Sequence, residues 1–533
     1  MHARWTCGGT NRAAGWTAGC MACSLALALA CLPGTVAAAT VWVGPGDQPG
    51  KGTRDAPYSF VQALAGGTQT DVRIEPGTAI LLLDGTYRPA SPNRFHKENV
   101  RALFPRVFRI EVSGAPDQPV TIAPEPGATA YLDGTLEVDA SHVRITGLEI
   151  GPADYTPTTE SPPAVALLSS RNVELVNCNL FGSCSTVAAM QPSKDITIYG
   201  CLIHDSCGLP HGSSNSYLQN NAGSTKTIQQ CIAYRSASQN LGVHVYGADA
   251  AHDVRFIDNI AFLGGCVVPN RNWDNFFINP GVPFHGLELI GNVAYQHETA
   301  NGHRANVRLS SKKEAAKTDY TNASGVVRDN WFMGGNYAVC MGRWNHIVFE
   351  NNTLWAGKLM LEINSATIPD AIEPQERKPD LSGYRVDGNR YFTTADAAVF
   401  RYDRVGKISK GDPLLTFAEW QALGLDGHAT LAETAAGRPT GSMVRVYANR
   451  HEKGRAHVAI FNWDGKDSVD VDLSQPLAPG DRYRVYNCLE VTHTLARATP
   501  VLTGTFAGTP VAFPMRRDPT SPDFDAFLVV PVR

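Results

Sequence analysis

The chain has 533 residues, with 46 Lys+Arg against 50 Asp+Glu, a formal charge of −4, and only 18% charged residues. That balance is too apolar for disorder, and no Lys/Arg-rich stripe exists that could hold nucleic acid by its phosphates. Gly (49) and Pro (34) are abundant and long Ala/Glu/Lys/Leu tracts are missing, which excludes a helical bundle and predicts an all-β chain rich in turns.

The first 39 residues read as a secretory signal. Arg4 and Arg12 stand without any acidic residue, an apolar run follows from Leu25 to Leu32, and Ala37-Ala38-Ala39 supplies small residues for cleavage near Ala39. The apolar run is far short of the ~20 residues of a membrane span. The expected location is therefore secreted, periplasmic or extracellular, with no membrane span, and the mature charge falls to −6. Four of the twelve Cys leave with this segment. Of the remaining eight, Cys184 with Cys207 is the best candidate for a disulfide.

From Val143 onward a short pattern recurs: an alternating apolar strand, then Gly, Asp or Asn, then a position X. Examples are VRITGLEI from Val143, ITIYGCLI from Ile196, LELIGNVAY from Leu287 and YRVDGNRYF from Tyr384. The X column holds Leu148, Cys178, Cys201, Cys231, Asn259, Asn292, Asn330, Asn352 and Asn389, about 30 residues apart. One such strand cannot bury its own apolar face, but stacked copies can. A fixed strand with variable loops predicts a parallel β-helix. The Asn are expected to form an internal side-chain ladder and to take the left-handed backbone of the corner, with the three Cys as buried thiols in the same file.

Upstream, VWVGPGDQPGKGTRDAPYSFVQAL from Val41 and ILLLDGTYRP from Ile80 are followed by SGAPDQPVTIAPEPGATAYLDG from Ser113. Together these resemble the entry segment and early rungs of secreted right-handed parallel β-helix proteins of the pectate lyase-like superfamily. The resemblance spans roughly Val41 to Asn389. It implies the fold and a small helix capping the first rung, but not one chemistry, because that superfamily includes lyases, hydrolases and epimerases. The paired Asp of polygalacturonases and the calcium-binding Asp cluster of pectate lyases are both missing.

After about Thr430 the repeat gives way to alternating strands between Gly/Pro/Asp turns, such as MVRVYANR and HVAIFNWDG. The expected organisation is thus a signal peptide over 1–39, a β-helix over 40–428, and a small antiparallel β-sandwich over 429–533.

A second column of strands, NSYLQN, GVHVYG, NFFINP, NVRLSS, LMLEIN and VFRYD, aligns loosely. Alternation would turn Tyr217, His244, Tyr246, Arg308, Glu362 and Arg401 outward. Around it the titratable density rises, with His204, Asp205, His211, Arg271, Trp273, Asp274, His303 and Arg304. Aromatic faces suit sugar rings and Arg pairs with carboxylates, so the expected partner is an acidic polysaccharide or oligosaccharide, bound by a monomer. For elimination, His244 or Tyr246 would be the base and Arg308 or Arg271 the neutraliser of the uronate. For hydrolysis, the carboxylates would come from Asp205, Asp274 and Glu362. His204 joins the catalytic candidates. Tyr217, His211, Arg271, Trp273, His303, Arg304 and Glu362 are the expected substrate contacts. No metal ligand set is expected and no cofactor, calcium being the one alternative. Non-catalytic glycan binding, or a cell-envelope role, is the competing reading.

Overall fold

The structure is a computed structural model of the chain. It describes residues 39–65, 72–88, 107–154, 163–206, 214–245, 251–265, 274–297, 305–310, 321–342, 344–364, 381–403, 414–432, 434 and 437–532. Three sheets of twelve strands each run along one solenoid, and from Ala79 to Asp403 each rung gives one strand to each. The chain visits them in the order first, third, second, as in Lys194–Tyr199, Leu202–Ser206 and Ser216–Leu218. Pairing is parallel except where Phe400–Asp403 meets Leu414–Leu415 at the end of the second sheet. The parallel β-helix expected from the sequence is therefore present, and so is the small C-terminal domain of two antiparallel sheets.

The corner between the first and third sheets explains the recurring motif. The residue before X takes positive φ at every rung, including Gly147 (68°), Asn177 (54°), Gly200 (64°), Asp258 (56°), Gly291 (69°) and Gly388 (65°). The left-handed backbone thus falls on the Gly/Asp/Asn position and not on X, correcting the expectation; a corner with a side chain pointing inward leaves X in an ordinary conformation. X itself builds the ladder. Asn259 Nδ2 donates to Asn292 Oδ1 at 3.0 Å, Asn292 to Asn330 at 3.0 Å, Asn330 to Asn352 at 2.8 Å and Asn352 to Asn389 at 3.1 Å. Cys178, Cys201 and Cys231 continue this file as buried thiols, each Sγ of the last two meeting the preceding Cys N–H at 3.3 and 3.4 Å. Asp426 ends the file, accepting from Asn389, Tyr391 and Trp420.

At the other end the helix Phe60–Leu64, capped by Ser59 and Gln62, closes the first rung with Phe60 against Phe108 and Tyr87. The C-terminal domain pairs Ser442–Ala448, Ala456–Asn462, Phe524–Pro531, Arg482–Asn487 and Leu502–Thr505 in one sheet, and Ser468–Val471 with Val511–Pro514 in another. Strand alternation divides its larger sheet. Val458, Ile460, Phe527 and Val529 pack toward the small sheet, whereas Ala459, Phe461, Phe524, Ala526 and Leu528 join the solenoid core. Among the described residues no helix is long and apolar enough to cross a membrane.

Candidate functional site: one face of the second sheet

Strand register, not sequence spacing, defines the file of side chains on the outer face of the second sheet. Ala188 stands opposite Tyr217, Gly242 opposite Phe277, Phe277 opposite Arg308, Arg308 opposite Cys340, Cys340 opposite Glu362, and Glu362 opposite Arg401. The pairing of Leu218 with Val243 puts Tyr217 in line with Gly242. Consecutive members lie about 4.8 Å apart, the spacing of paired strands.

These strands are held by a second Asn ladder at the corner between the third and second sheets. Asn215 Nδ2 donates to Asn240 Oδ1 at 2.7 Å, Asn240 to Asn275 at 2.6 Å and Asn275 to Asn306 at 2.7 Å. Each also donates to a carbonyl of a third-sheet strand, those of Tyr234, Phe262, Tyr295 and Met333. The signal stands in the sequence as Asn-x-outward residue: Asn215 before Tyr217, Asn240 before Gly242, Asn275 before Phe277 and Asn306 before Arg308. Aligning on Asn would have put Gly242, and not His244, in the file.

One half of the face is aromatic. The His244 ring lies 4.8 Å from Tyr217 at an interplanar angle of 3°, and 5.4 Å from Phe277 at 29°. His244 is two residues past the file position, and its imidazole folds back over Gly242: a Cβ there would stand 3.0 Å from Nε2. Gly242 is thus required for the close approach of a ring, not for an unusual φ.

The other half is charged. Arg308 donates through Nε to Asp274 Oδ2 at 3.0 Å, and Asp274 is wholly buried while the Arg308 side chain keeps 23% exposure. Asp274 raises the Arg308 pKa, keeping the guanidinium charged at every accessible pH. Arg401 binds Glu362 Oε2 through Nε at 2.9 Å and also through Nη2, again with the carboxylate buried. Cys340 sits between the two pairs, its thiol pushed up by burial and by Glu362, so it is no thiolate nucleophile. A buried acid under each guanidinium fixes its orientation and offsets part of its desolvation.

Of the residues singled out from sequence, the structure brings together Tyr217, His244, Asp274, Arg308 and Glu362, with Arg401. It does not bring His204 and Asp205 to this face. They belong to the third sheet, where His204 Nδ1 meets Asp205 at 2.6 Å and Nε2 meets Asn179 at 2.9 Å. Arg235 binds Asp205 at 2.8 and 2.6 Å and also the carbonyls of Leu489 and Val491, so this cluster anchors the C-terminal domain. Tyr246, His211, Arg271, Trp273, His303, Arg304 and the Cys207 of the suggested disulfide lie outside the described residues. Sequence reasoning missed Phe277, Cys340 and Gln239, because none carries a charge or a catalytic signature of its own. Among the described residues no group of three or more His, Cys, Asp or Glu is placed to hold a metal ion.

No family model matches the sequence, and no curated protein matches it. Among solved structures, the chain is similar to the pectate lyase Pel9A, at 14% identity and TM-score 0.39, covering 71% of this chain and 89% of that one. It is also similar to a rhamnogalacturonan lyase, at 12% identity and TM-score 0.38 over 73% of this chain and 99% of that one. An alginate lyase from Paenibacillus sp. matches at 14% identity and TM-score 0.33 over 62% of this chain and 93% of that one. At these levels chemistry does not carry over, and the site is read from its own residues.

Proposed function

We propose that the protein is a secreted carbohydrate-active β-helix protein that binds an acidic polysaccharide on the outer face of the second sheet and cleaves it by β-elimination. The observation that carries this reading is the single file in which an aromatic stack, Tyr217–His244–Phe277, runs directly into Arg308. Sugar rings stack on the aromatic half, and a uronate carboxylate pairs with a guanidinium. The bond to Asp274 uses Nε of Arg308, so its Nη pair is the part of the fork available to the substrate. Neutralising that carboxylate acidifies the neighbouring C–H. A base, His244 or Tyr246, takes that proton, the C4–O bond breaks, a C4–C5 double bond forms, and the departing hydroxyl gains a proton.

Elimination is favoured over hydrolysis by the state of the acids. A glycosidase needs one carboxyl to present a proton to the leaving group, yet Asp274 and Glu362 are each already held by an arginine. Incubation with a panel of uronate-containing glycans tests the proposal. Absorbance of unsaturated uronates is the expected result. New reducing ends without that absorbance would transfer the reading to hydrolysis, and binding without either product would leave a glycan-binding protein.

A further inference from the structure

The Tyr217–His244–Phe277 stack contains a proton whose place is set from below. Gln239 is 96% buried, and its Nε2 meets Nε2 of His244. The other end of the same amide, Oε1, accepts from the Ser238 hydroxyl, and Ser238 is held in turn by Ser236, whose hydroxyl donates to the Ser238 carbonyl at 2.8 Å. Both serines are buried. So placed, the amide turns its oxygen to the Ser238 hydroxyl and its NH2 to the ring, and an NH2 can only donate. The ring nitrogen facing it is then an acceptor.

We infer that Gln239 is a positioning residue that holds His244 as the neutral Nδ1–H tautomer, with its Nε2 lone pair committed to the Gln239 amide. Gly242 makes this possible, since a side chain in the file would occupy the space of the imidazole. The inference rests on the proposed glycan site and changes the roles within it. With its lone pair occupied, His244 is not the base of the elimination. It is an uncharged stacking surface between two aromatic rings, carrying its proton at Nδ1. A proton on Nε2 would face the Gln239 NH2, donor against donor, so the imidazolium is disfavoured. Beyond Phe277 the file continues into Arg308, which is paired with Asp274.

Long-range 1H–15N spectra of uniformly labelled protein read the tautomer directly, with His244 assigned by the loss of its signals in His244→Gln. The expected wild-type pattern is a protonated Nδ1 and a bare Nε2. In Gln239→Glu, a carboxylate now accepts from Nε2–H, so both nitrogens become protonated near neutral pH. A bare Nδ1 with a protonated Nε2 in the wild-type protein overturns the inference, as does a Gln239→Glu spectrum unchanged from wild type. Should that variant fail to fold, the wild-type spectrum alone decides. The spectra need no substrate, so a protein that cleaves no glycan refutes the proposed function and leaves the tautomer to be judged separately.

Discussion

Two faces of the solenoid carry aromatic files with a histidine inside them, and they end in opposite ways. On the third sheet, Phe181, His204, Tyr234 and Phe262 stack at 5.7, 4.8 and 5.4 Å, and all are buried. The C-terminal domain closes over them, with Phe524 against Phe262 and Tyr295, and with the Val491 carbonyl accepting from the Tyr234 hydroxyl at 2.9 Å. On the second sheet, Tyr217, His244 and Phe277 stack at similar distances, but Tyr217 and Phe277 keep partial exposure and the file continues into Arg308. A histidine flanked by aromatic rings is therefore no sign of function in itself. What separates the two faces is cover: His204, tied to Asp205 and Asn179, lies beneath a second domain, whereas the rings on either side of His244 keep partial exposure and lead into Arg308.

The comparison breaks most visibly at the covered face. Arg235→Met removes the cation that joins Asp205 to the carbonyls of Leu489 and Val491. Asp205 keeps His204 but loses its charge-assisted bonds to Arg235, which should cost about 3 kcal/mol, read as a fall in denaturant midpoint and as early proteolysis of the C-terminal domain. The same face has a pH dependence. Glu149 is 5% exposed, and both of its oxygens accept from the Leu495 N–H at 3.0 Å. Burial pushes its pKa up from 4.5 to about 7. The folded protein thus holds this proton more tightly than the unfolded chain does. Stability from this group is fully present below pH 4.5, falls as pH rises toward 7, and is flat above, for a total of about 3 kcal/mol. Glu149→Gln should flatten that stretch of the stability profile and stabilise the protein at pH 8.

Effects on the second-sheet face should fall on activity instead. Arg308→Lys keeps a cation over Asp274 but removes the planar fork, and kcat/KM on the cleaved glycan should drop about 100-fold with little change in Tm. An equal loss in Tm would assign Arg308 to structure. The smallest effect is expected for Tyr217→Leu, which removes one stacking surface worth ~1 kcal/mol, about fivefold in glycan Kd. If Tyr217→Leu and a substitution on the covered file, such as Phe262→Leu, weaken glycan binding equally, the distinction between the faces fails.

Part of the site was legible beforehand. Tyr217, Arg308, Glu362 and Arg401 follow from strand alternation, because side chains on a pleated strand change face at every residue. His244 shares the face of Gly242, two residues before it, and enters the stack by folding back over that glycine. The density of His and charged residues also misdirected, since His204 and Asp205 fall in the same stretch of sequence but on another sheet.

The sequence by itself determined the solenoid, the two-residue corner and the file of Asn and Cys along it, because each rung meets the same neighbours above and below and the pattern repeats at each turn. Loop lengths between those rungs are not periodic. The pairing of Asp274 with Arg308 across 34 positions, and of Glu362 with Arg401 across 39, is accordingly decided only by strand register in the folded solenoid. The same holds for which aromatic file a second domain covers. Docking depends on the shape and polarity of two finished surfaces, here the Ala459–Phe461 face of one sheet against the third sheet of the solenoid, and neither surface exists until the strands have stacked.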